Sequence, residues 1–209
     1  MQDVPSERDE NFVSTGGLPP DDRVGELVAQ AHARFAGDRQ GEVSAVYPAL
    51  ARVAPDLFGV AIVDADGHLT EAGDTSHPFS IMSVSKPFVF ALICDLIGPT
   101  GARERIGANA TGHAFNSLAG IERQASGQTN PMVNSGAIAT TSLTPGANAD
   151  EMWRFLHEGL SRFAGRTLQI NEEIYASASE TNFRNRSIAW MLHGLGRLYC
   201  DPLLAVDLY

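Results

Sequence analysis

Val24, Leu27, Val28, Ala31 and Phe35 recur at spacings of three and four, which predicts an amphipathic helix closed by Gly37. A different rhythm follows. Leu57 to Val63 is rich in β-branched residues, Asp64-Ala65-Asp66-Gly67 carries turn chemistry, and His68 to Ala72 is again extended, so this stretch predicts a β-hairpin. Gly73 to Pro78 breaks the pattern. Ser83 to Leu96 then reads as a helix apolar nearly all round, of the kind found at the centre of a fold. Further on, Met152, Phe155, Leu156, Leu160 and Phe163 form one stripe of a helix from about Asp150 to Phe163, with Gly165 beyond its end. Another helix is expected from about Arg186 to Tyr199.

The intervening stretch, Gly98 to Asn148, is dense in Gly, Asn, Pro and Thr, with short helical pieces at Ala102 to Ile106 and Ser117 to Arg123. It reads as a loop-rich, functional surface. The last segment has Asp201 as an N-cap and Pro202 at the first helical position, and it runs to Tyr209 without a C-cap. A helix this short, and a hairpin with no other strand candidate to complete its sheet, lead to the expectation that sequence follows Tyr209. Met1 to Asp22 has few apolar residues and reads as a flexible tail.

Composition narrows the function classes. A chain of 209 residues with 44% hydrophobic content can build a core, and a net charge of -10 offers no basic surface for nucleic acid. The histidines, including His77, His113, His157 and His193, show no metal-ligand spacing, and no glycine-rich stretch has a phosphate-loop pattern, so neither a metal nor a nucleotide is expected. Cys94 and Cys200 lie inside apolar helical stretches and are expected to be buried free thiols. With no signal-peptide core near the N-terminus and no run expected to span a bilayer, the cytoplasm is the expected location.

The candidate chemistry lies in Ser83-Val84-Ser85-Lys86. A serine and a lysine three apart at a helix start share one face, and a lysine desolvated by Phe88-Val89-Phe90-Ala91-Leu92 can be neutral enough to take the serine proton. Lys86 is the one lysine among fourteen arginines, and arginine is unable to act as this base. An arginine-favouring genome accounts for part of that bias, and a helix-start serine followed by a solvated lysine is the plainer reading of the motif. Asn130-Pro131-Met132-Val133-Asn134-Ser135-Gly136-Ala137 offers amides that can orient a polar substrate or steady the lysine, or that simply make turns and caps.

Phe79 to Lys86 resembles the nucleophile segment of the serine-dependent glutaminases. Gly107 to Asn116 with Ser117, Asn130 to Thr141, Thr181 to Trp190 and Leu198 to Asp201 resemble further signatures of that family, in order, over Val24 to Tyr209. The resemblance implies hydrolysis of L-glutamine to L-glutamate and ammonia through an acyl-enzyme on Ser83, with Lys86 as base, no cofactor and a homo-oligomeric protein. It places substrate contacts on Ser83, Asn134, Asn185 and Tyr209, the tyrosine also assisting proton transfer. The implied fold is α+β and serine β-lactamase/DD-peptidase-like, a helical domain with an incomplete antiparallel sheet domain. The expected division is a tail at 1–22, the N-terminal part of the α+β domain with the nucleophile helix at 23–100, and a mainly helical domain at 101–209 whose C-terminal sheet portion is missing.

This chain departs from the family pattern in three places. Ala178 stands where the family has a substrate-binding glutamate, with Glu180 two residues later. Ala45-Val46 replace an Asp-Tyr pair, which removes an aromatic near the site. The family also continues past the position of Tyr209 through a second tyrosine and a Lys-Ser-Gly strand that supplies an oxyanion donor. Two other readings stay open on the sequence: another Ser-x-x-Lys acylase of the β-lactamase or penicillin-binding type, and a catalytically dead relative that binds a ligand or partner.

Overall fold

The computed structural model describes residues 21–122 and 129–209. The expected tail at 1–22 lies outside the described residues except for its last two positions, and so does Arg123. The chain divides into two compact units, Met1–Val43 with Arg52–Pro78, and Ser44–Ala51 with Phe79–Tyr209.

In the first unit, α1 (Asp21–Phe35) places Asp21 and Asp22 in its first turn and His32 and Arg34 in its last, each sign complementing the helix dipole. Val24 and Val28 are its buried residues. β1 (Gly59–Val63) and β2 (Leu69–Gly73) pair antiparallel, with Val63 opposite Leu69 and Gly59 opposite Gly73. The hairpin forms where the sequence predicts it. Asp64 shapes the turn, its Oδ1 accepting the backbone N–H of Asp66 at 2.9 Å and of His68 at 2.8 Å. Gly73 must be glycine, because its φ is 82° and a β-carbon there would meet the Phe58 carbonyl and the His32 ring.

The second unit begins its helical part with a single 3-10 turn, Met82–Val84, running into α2 (Ser85–Arg105). Met82–Arg105 is long and apolar enough by length and composition to cross a membrane, contrary to the expectation from sequence. Gly98 interrupts it with φ 76°, ψ 154°, and Pro99 follows inside the helix, so the straight piece before the break falls short of the roughly 20 residues a spanning helix needs. Nor is α2 covered all round: Ile93 is 0% exposed while Leu96 is 49% exposed.

After α3 (Ala119–Glu122), the stretch read as loop contains a helix that sequence patterning did not show. α4 (Asn134–Thr141) has every residue buried, so it carries no amphipathic stripe to detect. Its Gly136 admits close packing, since a β-carbon would lie 1.9 Å from the Asn130 carbonyl oxygen. α5 (Ala149–Ala164) matches expectation, with Asn148 capping the Glu151 N–H and Gly165 left-handed at φ 64°. α6 (Glu172–Thr181), capped by Asn171, was not foreseen, because it buries no residue completely. α7 (Phe183–Gly194) stops five residues before the expected Tyr199.

α8 (Pro202–Leu208) starts as foreseen, with Asp201 Oδ1 accepting the N–H groups of Leu203 and Leu204 at 2.9 and 3.1 Å. Ile121, Ile138, Ile188, Leu192, Ala205 and Val206 form the main core from α3, α4, α7 and α8. Met152, Leu156 and Leu208 form a second. Cys94 and Cys200 are free and only partly buried, and Cys200 lies in the bend before α8 instead of in a helix. Burial pushes the Cys200 thiol up to about 11, aided by the Asp201 carboxylate.

Candidate active site

The centre of the site is Lys86, one residue into α2 and 5% exposed. Its Nζ donates to Asn134 Oδ1 at 2.8 Å and to the Met132 carbonyl at 3.5 Å. The rings of Phe115 and Tyr209 flank it, with centroids 5.7 and 5.8 Å from Nζ. Burial lowers its pKa below the ordinary lysine value. None of these neighbours is a carboxylate, so among the described residues no full negative charge offsets the desolvation of the ammonium.

Asn134, the first residue of α4, organises the polar groups. Its Oδ1 also accepts the Tyr209 hydroxyl at 3.1 Å, and its Nδ2 donates to Asn185 Oδ1 on α7 at 3.0 Å. A lysine and a phenol hydroxyl both arrive as donors, so the amide oxygen must face them and the NH2 must face Asn185. Asn134 and Asn185 are 9% and 7% exposed. Three separate sequence blocks are tied here through backbone carbonyls as well. Asn134 N–H donates to the Phe115 carbonyl at 2.8 Å, and Arg184 Nε donates to the Asn116 carbonyl at 2.7 Å.

Ser83 is exposed on the turn before α2, and its hydroxyl lies against the Tyr209 phenol. Burial pushes that phenol far above its ordinary value; the Ser83 contact pulls the other way, and Tyr47 adds a smaller upward push. Met82, just before Ser83, has φ 43°, a left-handed conformation that costs a non-glycine residue about 1–3 kcal/mol. The structure therefore gathers Lys86, Asn134, Asn185 and Tyr209 into one network and sets Ser83 beside Tyr209.

Three contributors escaped sequence reasoning. The resemblance covers Phe115 only as part of Gly107 to Asn116, and nothing in that segment points to its ring. Met82 has a backbone conformation that its side chain does not announce. Tyr47 is partly buried and adds to the upward push on the Tyr209 phenol, so an aromatic stands one residue after Ala45-Val46. The signal was an aromatic directly before Pro48. Ala178 is partly buried on α6, next to Ser177, whose hydroxyl accepts the Ala49 N–H at 3.2 Å. Glu180 is exposed and, two residues on, projects roughly 200° around the helix from Ala178.

The glutaminase family model matches residues 41–209 of this chain. The chain belongs to the glutaminase family. Glutaminase 2 of Yersinia pestis is 58% identical over all of this chain and 63% of its own length. A glutaminase of Mycobacterium ulcerans is 42% identical over 90% of this chain and 58% of its own. The chain thus spans about three-fifths of the length of these relatives. Among solved structures, one described as probable glutaminase YbaS superposes with a TM-score of 0.87 at 37% identity, covering 90% of this chain and 61% of that one. The glutamate form of the protein called Mglu superposes at 0.79 and 30% identity, covering 89% and 43%. The glutaminase fold here is the α+β, serine β-lactamase-like one, a helical part with a two-stranded antiparallel sheet.

Proposed function

We propose that this chain is the nucleophile-bearing part of a glutaminase that hydrolyses L-glutamine to L-glutamate and ammonia through an acyl-enzyme on Ser83. The observation that carries the reading is Lys86: the sole lysine, buried, lowered in pKa, bonded to an amide and placed three residues after an exposed serine. A neutral lysine donates one N–H to Asn134 Oδ1 and keeps its lone pair for the Ser83 proton. The Ser83 oxygen then attacks the side-chain carbonyl of glutamine. As the tetrahedral intermediate collapses, the C–N bond breaks and the proton passes from Lys86, with Tyr209 at hand, to the departing ammonia. Water enters by the same route in reverse roles, giving its proton to the base and its oxygen to the glutamyl ester. Glutamate leaves and Ser83 regains its hydrogen.

The same reading assigns Asn134 and Asn185 to the substrate, with Asn134 also holding the lysine, and it needs no cofactor. The glutamate form of Mglu supports an amino-acid substrate. Family membership weighs against a β-lactamase or penicillin-binding activity. Action in the cytoplasm as a homo-oligomer belongs to the proposal, and light scattering on the full-length protein tests the assembly. The decisive experiment is Ser83→Ala in the full-length protein. Because Ser83 is exposed, its loss should leave the fold intact while turnover falls by about 10³-fold or more. Retention of most of the activity would refute the nucleophile assignment.

A further inference from the structure

We propose that Ser85 is a positioning residue for Ser83, its hydroxyl clamping the Met82–Ser83 peptide in the orientation that presents the nucleophile. The inference rests on the reading of Ser83 as nucleophile. Among the described residues, Met82 is the non-glycine position with a positive φ, at 43°. In that region a β-carbon crowds the following carbonyl, so a methionine left to itself returns to negative φ. Something must hold it.

The Met82 carbonyl oxygen accepts two hydrogen bonds from Ser85, one from the hydroxyl at 2.8 Å and one from the backbone N–H. The other side of the turn is closed by the Val84 N–H, which donates to the Ile81 carbonyl at 3.0 Å. A trans peptide is planar, with its C=O and N–H pointing in opposite directions. Fixing the Met82 oxygen therefore fixes the direction of the Ser83 N–H and the α-carbon from which the Ser83 hydroxyl projects. The Lys86 and Tyr209 side chains both donate to Asn134 Oδ1, and none of the three bonds the Met82 carbonyl. The hydroxyl of Ser85 is thus the side-chain tie on the strained peptide next to the nucleophile.

A serine at a helix start also makes bonds of this type simply to stabilise the helix. The two roles separate experimentally. In the full-length protein, Ser85→Ala is expected to lower kcat for glutamine by about tenfold or more, since small misplacements of a reacting group are costly, while KM stays nearly unchanged. Ser85→Thr keeps the hydroxyl and should restore the rate. Adding Met82→Gly to Ser85→Ala should recover much of the loss, because glycine adopts positive φ without a clamp. Thermal unfolding of each variant reports whether the fold survives. Wild-type kcat in Ser85→Ala overturns the proposal. So does a loss that neither threonine nor Met82→Gly relieves. If Ser83→Ala retains turnover, the nucleophile reading falls instead, whatever Ser85 does.

Discussion

The two compact units use polar groups in opposite ways. In the first unit, Asp64 with His68, Thr75 with Glu71 and Arg39 with Asp56 pair on exposed surface, mostly between residues close in sequence. In the second, Lys86, Asn134, Asn185 and Tyr209 join across 48 to 75 residues of chain and sit largely out of water. Exposed pairs exchange water for each other at almost no net gain, whereas buried ones must be satisfied or cost the fold several kcal/mol. Among the described residues, the second arrangement keeps a lysine away from water with no carboxylate beside it.

The sharpest way to break this contrast is to keep the charge at Lys86 and remove its ability to lose a proton. Lys86→Arg in the full-length protein should lose about 10²–10⁴-fold in turnover, as much as Lys86→Ala. The sign of the pH dependence follows from the lowered pKa. Only neutral Lys86 accepts the serine proton, so activity should rise with pH along a limb centred below the ordinary lysine value of 10.5. Near full activity in the arginine variant, or a limb at the ordinary lysine value, would return Lys86 to a structural role.

What could be read from the sequence divides along the same line. The hairpin, α1, α5 and the start of α8 were legible because their signals are local: alternation, a stripe, Asn148 or Asp201 before a helix, Gly165 after one. α4 was not, because a helix buried on every side has no polar face, and its Gly, Ser and Thr residues resemble a loop. α6 was missed for the reverse reason, having no completely buried residue. The site residues Ser83, Lys86, Asn134, Asn185 and Tyr209 were named mainly through family resemblance. Spacing alone links only the first two, since nothing local to Asn134 reveals a partner 51 residues away.

Gly136→Ala tests how tightly the buried region is built. A β-carbon would fall 1.9 Å from the Asn130 oxygen and 2.3 Å from its carbonyl carbon, both of them backbone atoms that no rotamer change can move. The variant should lose about 3 kcal/mol, a drop in Tm of roughly 6–12 °C measured by calorimetry. A smaller loss would mean that the Asn130–Asn134 turn can yield without harm.

Ala178→Glu asks whether the second unit also lacks a charge that glutamine would use. The family places a carboxylate at this position, and Glu180 projects from another side of α6. Paired with the substrate ammonium, the new carboxylate should contribute roughly 1.5–3 kcal/mol, seen as a KM for glutamine lower by about tenfold or more at similar kcat. An unchanged KM would show that the ammonium is already met by another group.

The smallest effect is expected in the first unit, at Asp64. Asparagine at this position keeps the oxygen that accepts the Asp66 and His68 N–H groups, so Asp64→Asn removes charge and leaves the turn in place. The Asp64 carboxyl is held below its ordinary range, first by the His68 backbone N–H; the His68 imidazole is held above its own, first by its hydrogen bond to Asp64. The signs define a window. The histidine's contribution is full below pH 6.5 and fades as pH rises through its raised pKa, while the carboxylate's is present above pH 3.8 and fades as pH falls through its lowered one. Between those limits the pair is charged on both sides, yet His68 is exposed and Asp64 only half-buried, so water and salt screen them. Melting of Asp64→Asn should therefore match the parent at pH 8, with at most a slight drop near pH 5 that added salt removes. A large, salt-resistant loss at pH 5 would mean that this exposed pair behaves like the buried network, and the contrast between the two units would fail.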